Sequence, residues 1–196
     1  HSVTNQLIIG KESGSTGAYN LSNGTLSANA IVIGSLGTGT FNLSGGTLTT
    51  DSLNIINPNG AFSFTGGVLH ATNIIGNIVN NGGMIAPGQS PGTTHVDGGY
   101  TQTAIGETLI EIAGTNPGVD FDQLTVTQSV SLDGTLDVSL LGGFAPTYGQ
   151  QFSVLTYASR TGTFSQVNGT FLTSTRALAP VYDFAGSSQF TAAPNS

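Results

Sequence analysis

Apolar residues fall on every second position through the first part of the chain, and the alternation comes in repeated phrases. Tyr19, Leu21 and Leu26 stand in the same order as Phe41, Leu43 and Leu48, and again as Phe62, Phe64 and Leu69. Successive copies are 22 residues apart from Tyr19 to Phe41 and 21 from Phe41 to Phe62. Period two predicts strands with one face inward, and the intervening Asn, Ser and Thr then face water. The Asn-Gly at 23–24 and the Gly-Gly pairs at 45–46 and 66–67 predict corners with positive φ. Leu7-Ile-Ile-Gly10, Ile31-Val-Ile-Gly34 and Leu53-Asn-Ile-Ile56 place a further short strand ahead of each phrase, with a fourth at Asn73-Ile-Ile-Gly76.

A fixed period of this length marks a repeat architecture, in which each unit buries its apolar face by stacking on its neighbours. The expected fold is all-β, a right-handed parallel β-helix (solenoid) of about 22-residue coils with an irregular β C-terminal part. A β-sandwich of repetitive hairpins is the alternative for residues 7 to 85. The even spacing and the superposable apolar positions favour the solenoid.

Residues 1–6 read as an extended N-terminal segment and 7–92 as the repeat β-helix. The run Asn77-Ile-Val-Asn-Asn-Gly-Gly-Met-Ile-Ala-Pro-Gly-Gln-Ser-Pro-Gly92 is dense in turns and predicts a change of coil width. Beyond it, longer strands are expected at 94–102, 108–113, 123–130, 134–141 and 151–157, with shorter ones near Phe164, Phe171, Val181 and Phe190. Asp-Gly at 97–98 and 133–134 has hairpin or corner chemistry. Residues 93–186 are therefore either wider, irregular coils or a small β-sandwich cap, and 187–196 read as a C-terminal tail.

Composition narrows the function. Charged residues make up 7% of the 196, against 29 glycines, and the net charge is −7 with Lys11, Arg160 and Arg176 as the only Lys or Arg. Nucleic acid and anionic membranes need a basic patch, so neither is an expected partner. No apolar run is long enough to span a membrane as a helix. Cysteine is absent, which removes disulfides and thiolate chemistry. The scarcity of Lys and Glu points to a secreted protein or one of the bacterial cell surface or extracellular matrix. The chain begins at His1 without a basic-then-apolar leader, as expected of a processed product or a fragment.

Candidate chemistry is sparse. Gly88-Gln-Ser90-Pro-Gly92 matches a hydrolase nucleophile elbow, but Pro91 has no N–H to help form an oxyanion hole. His95 lies too close to Ser90 to fit the hydrolase order, and His70 and His95 have no metal-ligand spacing. Glu107 and Glu111 are four apart on one strand face, about 13 Å by strand rise, too far for a glycosidase pair unless the side chains lean together. Asp120 and Asp122, with Asp133 and Asp137 downstream, are weak calcium candidates, since calcium wants six or more oxygens. Sequons at Asn20, Asn23, Asn42 and Asn168 follow from the Asn/Gly/Thr corners themselves. No catalytic residue, resident metal or cofactor is expected, and a polysaccharide lyase would need a clustered acid and base that this sequence does not provide.

The run Gly83-Met-Ile-Ala-Pro-Gly-Gln-Ser-Pro-Gly92 carries the motif Ala86, Pro87, Gly88, Ser90, Pro91 and Gly92. With Gly98-Gly-Tyr-Thr-Gln102, Thr108-Leu-Ile-Glu-Ile112, Asp122-Gln-Leu-Thr-Val126 and Leu132-Asp-Gly-Thr-Leu136, it resembles the "APGxSPG" segment and following strands of bacterial autotransporter-associated β-helix repeat proteins. Similar segments occur in autotransporter passengers and in PEP-CTERM-type surface proteins. The resemblance covers roughly residues 7 to 165. It implies a secreted or surface-displayed β-helix of structural or adhesive character. Two departures stand out: no terminal translocating β-barrel and no hydrophobic anchor with a basic tail accompany the match. A released product, a processed subunit or a fragment is the corresponding expectation.

The expectation is thus a non-enzymatic extracellular structural protein that self-associates end to end into fibres or a surface layer, a homo-oligomer or polymer. The alternative is an adhesin-type binding module for glycans or host surfaces, with a carbohydrate-active β-helix enzyme as a third and less favoured reading.

Overall fold

The computed structural model describes residues 1–173, 176–184 and 187–194, and these hold strands and turns with no helix. The protein is all-β, and its strands belong to one sheet that curls round its own core until it nearly closes.

The early strands are β1 (Ser2–Ile9), β2 (Thr16–Leu21), β3 (Thr25–Ile33), β4 (Thr38–Ile55) and β5 (Gly60–Ile75). β6 (Ile78–Asn80), β7 (Met84–Ile85), β8 (Thr93–Asp97) and β9 (Tyr100–Gln102) follow. Then come β10 (Glu107–Ile112), β11 (Gln123–Val126), β12 (Ser129–Leu132), β13 (Thr135–Leu140), β14 (Gln151–Thr156), β15 (Ser159–Gly162) and β16 (Gln166–Asn168). The last are β17 (Phe171–Thr173), β18 (Arg176–Phe184) and β19 (Ser187–Pro194).

From β1 to β16 the pairing is parallel and falls into three rows. The first row runs β2, β4, β5, β6, β9, β12, β15. The second runs through β1, β3, β4 and β5 to β7, β10, β13 and β16. The third uses the far ends of β1, β3, β4 and β5 and goes on through β8, β11 and β14. Tyr19 pairs with Phe41 and Phe41 with Phe62, so the sequence period is also the register of the stack.

Packing follows from that register. Leu21, Leu26, Phe41, Leu43, Leu48, Phe64 and Leu69 are buried, while Tyr19 and Phe62 are half-buried against the same core. Ring centroids lie 5.1 Å apart for Tyr19–Phe41 and 5.7 Å for Phe41–Phe62. Each buried ring or leucine contributes about 1.5–3 kcal/mol from the area it removes from water. Gly24, Gly46 and Gly67 stack at one corner with φ near +75° (73°, 73° and 76°). A Cβ on Gly67 would sit 2.8 Å from the backbone carbon of Gly45, so the corner needs glycine for space as well as for φ.

Several sequence expectations change here. Residues 94–102 and 123–130 are not single strands. The chain turns at Gly98-Gly99 between β8 and β9, and at Thr127-Gln128 between β11 and β12. At Gly98-Gly99 the alternation continues through the corner, and at Thr127-Gln128 the inward phase resumes at Val130 after three exposed residues, so a pattern of period two does not mark either break clearly. Asp97-Gly98 and Asp133-Gly134 are corners rather than hairpins, because the strands on either side pair with other layers and not with each other. The short strands expected near Phe164 are β15 and β16, which flank it.

The three rows persist beyond residue 92 with wider spacing: Val96 pairs with Val126, and Leu136 with Val167. The widening sits in the connections 113–122 and 141–150, both absent from the early layers. The stack then ends in antiparallel strands, with β19 on β14, β18 on β19, and β17 on β18. Within the segment read as a C-terminal tail, residues 187–194 form β19, and Asn195 and Ser196 lie outside the described residues. At the other end, residues 2–6 are already part of β1, with Ser2, Val3 and Gln6 paired to β3.

Candidate functional site

Outward positions of the first row carry the polar residues that alternate with the core. In register these read Ala18, Thr40, Ala61 in one line and Asn20, Asn42, Ser63, Val79, Thr101, Ser131, Thr161 in the next. Asn42 donates its side-chain amide to Asn20 Oδ1 at 2.7 Å, so two sequon asparagines bind each other along the stack.

Between Asn77 and Thr161 this face sinks into a groove of about 350 Å³ crossing β6, β9, β12 and β15. Its depth comes from Gly99, which stands where neighbouring layers carry Asn77 and Ser129. Gly99 N–H donates to Asn77 Oδ1 at 2.8 Å and fixes that amide. Gln128, Ser129, Ser131 and Thr161 are exposed around it, and Val79, 49% exposed, supplies an apolar edge. No charged side chain lines the groove.

A second cleft, about 330 Å³, is lined by Thr49, His70, Gln89 and Ser90 at the Ala86–Gly92 turn. His70 Nδ1 lies 3.2 Å from the Gly88 carbonyl oxygen, which can only accept, so the hydrogen bond places a proton on Nδ1. Ser90 and His70 thus share a cleft. The residue after Ser90 is still a proline without an N–H, and no carboxylate lines the cleft to orient or charge the imidazole. The motif residues Ala86, Pro87, Gly88 and Gly92 form the turn itself, and Gly88 carries φ +59°.

The candidate acids are engaged by backbone N–H groups, by neighbouring side chains or by each other. Asp122 is buried, and burial pushes it up to about 6 against the pull of its hydrogen bonds from the N–H groups of Glu111 and Gly92. Asp120 Oδ2 accepts the N–H groups of Thr115 and Asn116. The two calcium candidates therefore face donors in different places, and no group of three or more His, Asp or Glu gathers among the described residues. Asp133 accepts the Gly134 N–H at 2.7 Å and the Ser165 hydroxyl, which holds it below the usual carboxylate range.

Glu107 and Glu111 lie on the outward side of β10 as expected, but Glu107's partner is Asp137 on the next layer. The hydrogen bond with Asp137, helped by burial and charge repulsion, pushes Glu107 up to about 7. Asn168 donates to Asp137 at 2.7 Å. His95 contacts Thr125 Oγ1 at 2.9 Å within the third row.

Sequence reasoning missed the groove and a buried polar cluster beneath it. Tyr100 donates to Gln102 Oε1 at 2.7 Å, and Gln102 Nε2 donates to the carbonyls of Asp133 and Thr135 at 2.8 and 2.9 Å. Asn80 Nδ2 donates to the Glu107 carbonyl at 2.9 Å. Burial pushes the Tyr100 phenol up to about 12. The available signal was Asn80 and Gln102 standing at the position that Leu21, Leu43 and Phe64 fill in earlier layers.

The chain matches no protein-family model and no curated protein.

Proposed function

We propose that the chain is a right-handed parallel β-helix, secreted or surface-displayed, whose role is structural and non-catalytic, and that copies stack end to end into a fibre or layer. The observation that carries this is the set of three in-register parallel rows, whose first-layer strands β1 and β2 each pair on one side only. Such edges add strands from another chain readily. Charge favours stacking as well. Nine of the ten acids lie at Asp51 or beyond, and Lys11 and Glu12 offset each other near the first layer. A neutral end meeting an acidic one is not opposed by like charge. The scarcity of Lys and Glu and the uncharged Ser/Thr/Asn faces support an extracellular setting, and the autotransporter-associated resemblance agrees with it.

Amide hydrogen exchange at low and high protein concentration tests the stacking. Outward amides of β1 and β2 become protected as concentration rises if copies meet there, and unchanged exchange at those amides rejects the reading.

A binding role of the adhesin type is the second reading, favoured by one observation: the groove across β6, β9, β12 and β15 offers several side-chain polar groups, those of Thr101, Gln128, Ser129 and Ser131, that no described residue engages.

A further inference from the structure

We infer that this groove is a binding site for a neutral saccharide chain. The inference gives the adhesin reading a place and a ligand class, and it is independent of whether copies stack.

Unclaimed hydrogen-bonding groups come first. Among the described residues, the hydroxyls of Thr101, Ser129 and Ser131 and the side-chain amide of Gln128 find no hydrogen-bond partner, and Asn77 engages its Oδ1 alone. A hydroxyl both donates and accepts, and a primary amide does both through separate atoms. A ligand with many hydroxyls can therefore satisfy every one of these groups, whereas a purely apolar ligand would strip them of water without replacement.

Spacing comes second. Thr101, Ser131 and Thr161 stand in one line, a layer apart each, with Val79 at its end. Layers repeat at about 4.8 Å, so the groove presents a periodic row of hydroxyls fixed on paired strands. Such a row is preorganised and loses little rotamer freedom on binding. A sugar ring presents hydroxyls at its rim and C–H groups on its faces. Val79 gives the C–H groups an apolar contact.

Charge decides the class. The groove has no charged lining residue, and the protein carries −7 overall. A uronate or phosphate would enter without a counter-charge and against the net field. The volume, about 350 Å³, lies at the lower end of the range for small-ligand sites.

Gly99 makes the test clean. A Cβ added there would meet only Asn77 Oδ1 and the Ser129 carbonyl oxygen at 3.4 Å, with Asn77 Cγ at 4.0 Å, all ordinary contacts, and its φ lies outside the left-handed region. Gly99→Leu therefore fills the groove from a backbone that accepts a side chain.

The experiment is a titration of the full chain with neutral oligosaccharides (gluco-, xylo-, manno- and N-acetylglucosamine-based) and with oligogalacturonate, followed by amide chemical shifts. The expected result is saturable shifts at Thr101, Gln128, Ser129 and Ser131 with at least one neutral oligosaccharide and none with oligogalacturonate. Gly99→Leu should weaken that binding about tenfold or more while leaving the melting temperature in place, and Thr101→Ala with Ser131→Ala should weaken it severalfold. The inference is overturned if no neutral oligosaccharide gives saturable shifts, if the shifts map elsewhere, if oligogalacturonate binds equally well, or if folded Gly99→Leu binds unchanged. Should Gly99→Leu fail to fold, the double variant decides alone: unchanged affinity overturns the site. Light scattering on the same samples reads self-association separately.

Discussion

Asp122 reaches back across the stack to Gly92, accepting its N–H at 2.7 Å, while its other oxygen takes the N–H of Glu111 at 2.9 Å. One buried carboxylate thus ties the end of the Ala86–Gly92 turn to the layer that follows. Replacing it with alanine leaves two N–H groups unsatisfied, each costing about 1–3 kcal/mol. Asp122→Ala should therefore lower the unfolding free energy by about 2–6 kcal/mol in urea titrations.

The same carboxyl makes stability depend on pH. Its folded value, about 6, lies above the usual 3.8, so the native state holds the proton more tightly than the unfolded chain. That contribution is fully present below the ordinary value and is lost as pH rises through about 6. Melting temperature should fall across this window, and Asp122→Asn should flatten the fall even where it lowers the melting temperature throughout.

Glu107 acts in the same direction over a higher range, because the hydrogen bond with Asp137 is lost, and repulsion appears, when both carboxyls ionise. Stability from the shared proton is lost between the ordinary 4.5 and about 7. Glu107→Gln should raise the melting temperature at pH values above this window relative to the parent chain and leave it nearly equal below. Thermal melts of both proteins across the range check this.

Arg160 fastens the antiparallel end to the parallel rows. Its Nε donates to Asp183 at 3.0 Å, its guanidinium lies 4.8 Å from the Tyr182 ring centre, and Tyr157 donates to the same carboxylate at 3.0 Å. Arg160→Ala should speed amide exchange in β18 and β19 by an order of magnitude or more and leave β3 to β5 unchanged. Equal exchange in β18 and β19 would mean that β14–β19 pairing alone holds this end.

The aromatic ladder predicts a graded cost. Phe41 is fully buried between Tyr19 and Phe62, so Phe41→Ala should cost about 3–5 kcal/mol. Tyr19 has one stacked neighbour and stays half-exposed, and Tyr19→Ala should cost less than half as much. Chemical denaturation of the two variants gives the comparison.

The early layers were legible because each carries the same physics three times over: Phe41 and Leu43 face inward, Asn42 faces out, and Gly46 turns the corner. The later layers were not. Gly98-Gly99 breaks a strand without interrupting its alternation, and Asn80 and Gln102 put amides where the pattern calls for leucine. Their partners, the carbonyls of Glu107, Asp133 and Thr135, lie some 30 residues away and are set by the stack. The groove was hidden for the same reason. Thr101 and Ser131 become neighbours only once Tyr100 is known to pair with Val130, and the gap at Gly99 only once Asn77 and Ser129 flank it. Asp120 and Asp122 looked alike in sequence. Their different N–H partners and the burial of Asp122 separate them.

The most direct measurement is electron microscopy of the purified protein at rising concentration, with light-scattering mass on the same samples. The account predicts filaments whose axial repeat is about one subunit length, with mass rising in step. Short dispersed rods of monomer mass at every concentration would contradict it.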